Sequence, residues 1–218
     1  MQRPAPLFPA SRVTLAALAI GLLAGCASSP PPTLLSLPLP QPAGTTAAAA
    51  APAASASAPA AAPPVLAVRR VQLPEYLQAD PVRYRVEGGV LAEWPGVVWA
   101  ERLEIGLTRH LAMRLRQALP GWVVCEGGCA GAAPGHTIVV ELAPLDYVRP
   151  TGTLQAEARW RVAGGPAGRQ QILQAGARSF SLPVAPDSPA GQAAAMGQVM
   201  EGVAGEVVAG LHRGVNAP

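Results

Sequence analysis

Thr153-Leu154-Gln155-Ala156-Glu157-Ala158-Arg159-Trp160-Arg161-Val162 carries the cleanest alternation in the chain. Leu154, Ala156, Ala158, Trp160 and Val162 alternate one for one with Gln155, Glu157, Arg159 and Arg161. Successive side chains of a strand point to opposite faces, so a period of two describes a strand with one face in a core and one in water. The preceding stretch repeats the pattern: Ile138, Val140 and Leu142 take one face, Val139 and Glu141 the other. After the turn Ala163-Gly164-Gly165-Pro166-Ala167-Gly168, a third strand is expected over residues 172–182, where the alternation blurs at Gly176 and suggests a bulge. Half-buried alternation of this kind is the habit of antiparallel sheets.

Working upstream, residues 65–73 read as a strand that stops at Pro74, which lacks a ladder donor. Residues 82–86 and 90–94 flank Glu87-Gly88-Gly89, a hairpin turn in which glycine accepts positive φ. A further short strand is expected over residues 33–37. Between the hairpin and the later strands lies a helix over residues 97–119. Trp99, Leu103, Leu107, Leu111, Leu115 and Leu119 recur at steps of four along it, while Glu101, Arg102, Arg109 and Arg116 fall on the far side. Pro120-Gly121 ends it. A last helix starts where Asp187 or Ser188 precedes Pro189 and places Met196, Val199, Met200, Val203, Val207 and Leu211 on one face. Gly191, Gly197, Gly202, Gly205 and Gly210 each cost this helix about 0.8–1 kcal/mol against alanine, so it must gain stability by docking, on a sheet or on another protomer. The expected fold is α+β: an antiparallel sheet of four to six strands with two helices on one face.

The N-terminus reads as an export signal over residues 1–25. Arg3 and Arg12 precede and open an apolar run that ends in Leu23-Ala24-Gly25-Cys26, and no acid occurs before Glu75. Leu-Ala-Gly-Cys is similar to the bacterial lipobox, which makes Cys26 the lipidated first mature residue. Each buried CH₂ of an acyl chain contributes ~0.8 kcal/mol, so several chains on one cysteine form a lasting anchor. Ala27, rather than aspartate, follows; by resemblance to Gram-negative lipoproteins this favours the outer membrane, facing the periplasm. Residues 26–39 then carry the anchor and the first strand. Residues 40–64 hold 13 alanines and six prolines without a charge or a large apolar side chain, and cannot repay their ordering entropy. The folded domain is expected over residues 65–214.

Every cation is arginine. Without Arg3 and Arg12, 14 arginines face 13 acids, a balance that leaves no basic run to follow nucleic acid. A chain without lysine has no Walker A motif, and neither H-E-x-x-H nor G-x-S-x-G occurs. His110, His136 and His212 read as surface or edge residues, and Glu101 and Glu104, three apart on a helix, as a solvated pair. No enzyme, cofactor or metal is expected. Cys125-Glu126-Gly127-Gly128-Cys129 suits a disulfide in an oxidising compartment, since the glycines let the chain curl. Free thiols, or a metal held by Cys125, Cys129 and His136, are the alternatives.

Three segments in order carry a family likeness: Leu73-Pro74-Glu75-Tyr76-Leu77, Pro81-Val82-Arg83-Tyr84-Arg85, and Trp99-Ala100-Glu101-Arg102-Leu103 before the leucine-rich helix. Together with the lipobox they resemble the PqiC-type ABC-transport auxiliary lipoproteins. The chain departs from that pattern at Asp80, where arginine is usual, and at Arg102, where proline is frequent. The resemblance implies a non-catalytic outer-membrane lipoprotein subunit of an intermembrane lipid transport system. Its partners would be an MCE-domain protein spanning the envelope and inner-membrane transporter components, with self-association as a homo-oligomer. Pro74, Tyr76, Leu77, Trp99 and Glu101 are then candidate partner or protomer contacts; otherwise the first four serve the core and Glu101 the dipole of the helix. Two other readings stay open, a lipid-binding carrier and a structural lipoprotein that assists another envelope complex.

Overall fold

The structure, a computed structural model, describes residues 30–40, 62–129, 133–165 and 169–215. Cys26 and most of the Ala/Pro-rich tract therefore lie outside the described residues. In chain order the elements are β1 (Thr33–Leu35), β2 (Val65–Val68), β3 (Pro81–Arg85), β4 (Leu91–Trp99), α1 (Leu103–Ala118), β5 (Val123–Glu126), β6 (His136–Val148), β7 (Thr153–Gly164), β8 (Gln171–Pro183) and α2 (Pro189–Val215).

The strands form one eight-stranded sheet built around β6. Along one edge β6 pairs antiparallel with β7, and β7 pairs antiparallel with β8. The other edge of β6 is shared. Its start pairs parallel with β2, which pairs parallel with β5. Its end meets β3 in parallel at Arg85↔Val148, and β3 continues antiparallel to β4, which pairs parallel with β1. The class is α+β, but the sheet is mixed and larger than the sequence suggests. Four of its seven pairings are parallel. Alternation reports which face of a strand is wet and carries nothing about the direction of its neighbour, so the antiparallel expectation held only for β3–β4 and β6–β7–β8. Parallel neighbours need a long crossover. Between β2 and β5 it is made by the β3–β4 hairpin and α1.

The expected helix over residues 97–119 starts late. β4 runs on through Trp99 because β1 pairs with it at Thr33↔Val97, Leu34↔Val98 and Leu35↔Trp99. The Trp99 amide also donates to Asp80 O at 2.8 Å, and the Ala100 amide to Leu35 O at 2.8 Å. The stripe itself is as read: Leu103, Leu107, Leu111, Leu115 and Leu119 are all buried. They meet Leu66, Ile138, Val140, Leu142, Leu154, Ala158 and Val162 from the sheet and Met196, Val199, Met200, Val203 and Val207 from α2 in a single core. The Glu87-Gly88-Gly89 turn closes the β3–β4 hairpin with φ of 70° at Gly88 and 77° at Gly89.

Gly176 is not the bulge. The register shift in the β7–β8 pair falls between Val162 and Ala163, where Leu173 is the extra residue. Gly176 lies opposite Trp160, and a Cβ there would run into the Trp160 ring. The missing side chain is the space that the indole occupies.

Candidate functional site

The first two of the segments that carry the family likeness converge where β3, β4 and the end of β6 meet. Pro74 caps the 3-10 turn Glu75–Leu77, and the Leu77 amide donates to Pro74 O at 3.0 Å. Leu77 is buried. The Tyr76 hydroxyl donates to Asp146 Oδ1 at 2.9 Å, and Arg83 Nη1 donates to Tyr76 O at 2.9 Å. Arg85 Nε donates to Asp146 Oδ2 at 2.7 Å while its guanidinium sits 5.3 Å from the Tyr76 ring centre. Burial raises the Tyr76 pKa, and the Asp146 hydrogen bond raises that of Arg85. Asp146 is 7 % exposed, so Tyr76 and Arg85 are what make a carboxylate tolerable there.

A second network lies beside it. Arg149 covers Trp94 at 4.5 Å and Tyr84 at 5.1 Å, and its Nε donates to Asp187 Oδ2 at 3.0 Å. The Tyr147 hydroxyl donates to Asp187 Oδ1 at 2.7 Å; burial first, then this bond, pushes its pKa up to about 12. The same bond, followed by Arg149, lowers the Asp187 pKa. Beneath them Trp94 Nε1 donates to Gln192 Oε1 at 2.8 Å, and Gln192 Nε2 donates to Arg83 O at 2.7 Å, which ties α2 to the hairpin. Asp146 and Gln192 were not singled out in the sequence, and Asp187 was named only as a candidate start of the last helix. Asp146 had a signal, as the one charge in Leu145-Asp146-Tyr147-Val148.

The remaining candidate residues separate. Trp99 is buried at the end of β4 rather than at a helix entrance. Through the Trp99–Asp80 bond it lies three residues from the Glu75–Leu77 turn. Glu101 is elsewhere, at the start of α1, paired with Arg109 at 2.8 Å and close over Gly106. Glu104 is not solvated. It is 3 % exposed and meets Arg102 at 2.5 Å. His110 is likewise buried, contrary to an edge position, because α1 and α2 close over it. Its Nδ1 lies 3.1 Å from Pro38 O, and burial lowers its pKa. Arg114 reaches Glu201 across the two helices at 3.8 Å.

The Cα atoms of Cys125 and Cys129 are 5.5 Å apart, within disulfide reach. Among the described residues no group of three His, Cys, Asp or Glu side chains is arranged to hold a metal ion, and no helix is long and apolar enough to cross a membrane. The Tyr76–Arg85–Asp146 and Tyr147–Arg149–Asp187 networks are hydrogen-bonded and ion-paired. They brace a surface.

Comparison with known proteins follows the same lines. The model of the ABC-type transport auxiliary lipoprotein component family matches residues 46–208. No curated protein is significantly similar in sequence. Among solved structures, an uncharacterized protein aligns with a TM-score of 0.58 at 19 % identity, covering 68 % of this chain and 92 % of its own. Protein XCC0632 from Xanthomonas campestris, of family DUF330, aligns with a TM-score of 0.54 at 14 % identity, covering 85 % and 97 %. At these identities the structures show a shared fold.

Proposed function

Since the chain belongs to the ABC-type transport auxiliary lipoprotein component family, we propose that it is the outer-membrane, non-catalytic subunit of an MCE/ABC-type intermembrane lipid transport system. The observation that carries the reading is the family match over residues 46–208, in a chain that also holds a lipobox ending at Cys26. Cys26 bears the acyl anchor and residues 27–32 join it to β1, while residues 40–64 connect β1 to β2, two strands of the same sheet. The domain meets an envelope-spanning MCE protein, which joins it to the inner-membrane transporter. Pro74 and Tyr76, half-buried on the braced turn, are the contacts of choice among the motif residues. Cys125 and Cys129 form a disulfide that closes the loop after β5.

A filled core supports tethering over enclosure of an acyl chain. Leu66, Leu107, Leu111, Ile138, Leu142, Leu154 and Val203, all fully buried, occupy the space between sheet and helices. In vivo crosslinking from Tyr76, followed by purification, should recover an MCE-domain protein. Recovery of a secretion or pilus component in its place would reject the assignment. Intact mass of the mature chain should show acylation at Cys26 and a gain of two hydrogens on reduction of Cys125–Cys129. An unacylated periplasmic product would remove the anchor from the scheme.

A further inference from the structure

All 13 acidic residues of the chain are described, and nine of them are ion-paired one to one with nine arginines. Arg69, Arg70, Arg161, Arg169 and Arg213 have no carboxylate partner among the described residues. Three of these five, Arg69, Arg70 and Arg161, line the same open groove of about 890 Å³. Arg102 also lines it, but its charge is met by Glu104, buried in the wall at 2.5 Å. The groove thus carries three unmatched guanidiniums in a domain whose charges otherwise nearly cancel.

No run of basic sequence makes this site. Arg69 and Arg70 follow β2, Arg161 projects from the face of β7 opposite the buried Trp160 and Val162, and Arg102 precedes α1. The fold gathers them. Like charges held around one concavity repel, and low-dielectric walls concentrate their field on whatever anion enters. Guanidinium is the weakly hydrated cation whose planar fork pairs two oxygens of a phosphoryl group at once, so three forks suit a group with several equivalent oxygens better than a lone carboxylate. We propose that this groove binds a phosphate-bearing anion, either a phospholipid headgroup or a free phosphate. The inference stands independently of the transport assignment, since it uses only the placement of the charges.

The test is calorimetry on the full chain in a maltoside detergent, titrated with inorganic phosphate and with dihexanoylphosphatidylglycerol below its micelle concentration. Saturable binding should weaken about 10-fold or more in the double variant Arg70→Gln/Arg161→Gln. It should hold in Arg169→Gln/Arg213→Gln, which removes the two unmatched arginines outside the groove. All four side chains are exposed and unpaired, so neither variant removes a contact on which folding depends. Competition between the two probes identifies a phosphoryl site open to both sources. Binding of the lipid alone identifies a headgroup site, and binding of phosphate alone a free-anion site. The proposal is overturned if neither probe binds, if both double variants lose binding equally, or if only an acidic polypeptide such as polyglutamate is held.

Discussion

The two helices reach the same core by opposite means. α1 brings bulk: Leu103, Leu107, Leu111 and Leu115 stand one turn apart and are 0–2 % exposed. α2 brings absence. A Cβ on Gly197 would sit 3.0 Å from His110 Cε1, one on Gly202 2.5 Å from Phe180 Cε1, and those on Gly191 and Gly210 would strike Pro186 O and Gln174. Four of the five interior glycines noted in the sequence are thus close approaches to α1, to β8 and to the loop before α2. Gly205 is the exception, exposed with open space around it. A helix poor in propensity can thus be docked in the core when its neighbours occupy the room that side chains would have filled.

The sharpest attack on this contrast is Leu107→Ala, which empties a fully buried site on α1 and should cost about 2–5 kcal/mol in urea unfolding. A loss below that range would mean that the core collapses around the gap. Gln192→Leu comes next, because it strips partners from both Trp94 Nε1 and Arg83 O inside the protein, at about 1–3 kcal/mol for a group left unsatisfied. Gly191→Ala should lower stability by about 1–3 kcal/mol, since its new methyl meets a backbone carbonyl that cannot swing away. Gly205→Ala should do the reverse and raise it by about 0.8–1 kcal/mol. If both glycine variants moved in the same direction, the close-approach account of α2 would fail.

The smallest expected effect is one of pH at the junction of the helices. His110, closed in by α1, α2 and the segment after β1, has its pKa lowered from 6.5 by burial, against the attraction of Glu201 and with the repulsion of Arg114. His136, beside Trp122, is lowered for the same first reason. The unfolded chain then takes up protons first as pH falls. Stability is complete above about pH 6.5 and declines below it, towards the folded pKa values. Urea midpoints measured from pH 7.5 to 5 should show this decline, and His110→Gln should make it shallower. A flat profile for the unmodified chain would place these imidazoles in water.

Much of the scaffold could be read because it rests on local periodicity. The two faces of β7, the apolar face of β6, the hairpin at Glu87-Gly88-Gly89 and the leucine stripe of α1 each follow from spacing alone. β5 did not, since Val123–Glu126 has four residues and abuts the glycine-rich loop, too short a window for a period to show. The motif residues were visible as a pattern, but their work was not. Tyr76 and Arg85 answer to Asp146, 70 and 61 residues away, and no local rule connects them. The groove arginines were legible only as scattered cations.

What the amino-acid order determined by itself is therefore the set of elements and the side of each that seeks the core, because burial of apolar surface acts on every segment through its own repeat. The direction in which strands pair, the extension of β4 over Trp99, the meaning of the glycines and the meeting of Arg69, Arg70 and Arg161 were decided only when the chain closed on itself. Those features depend on which atoms fill the space across the gap, and that is a property of pairs distant in sequence.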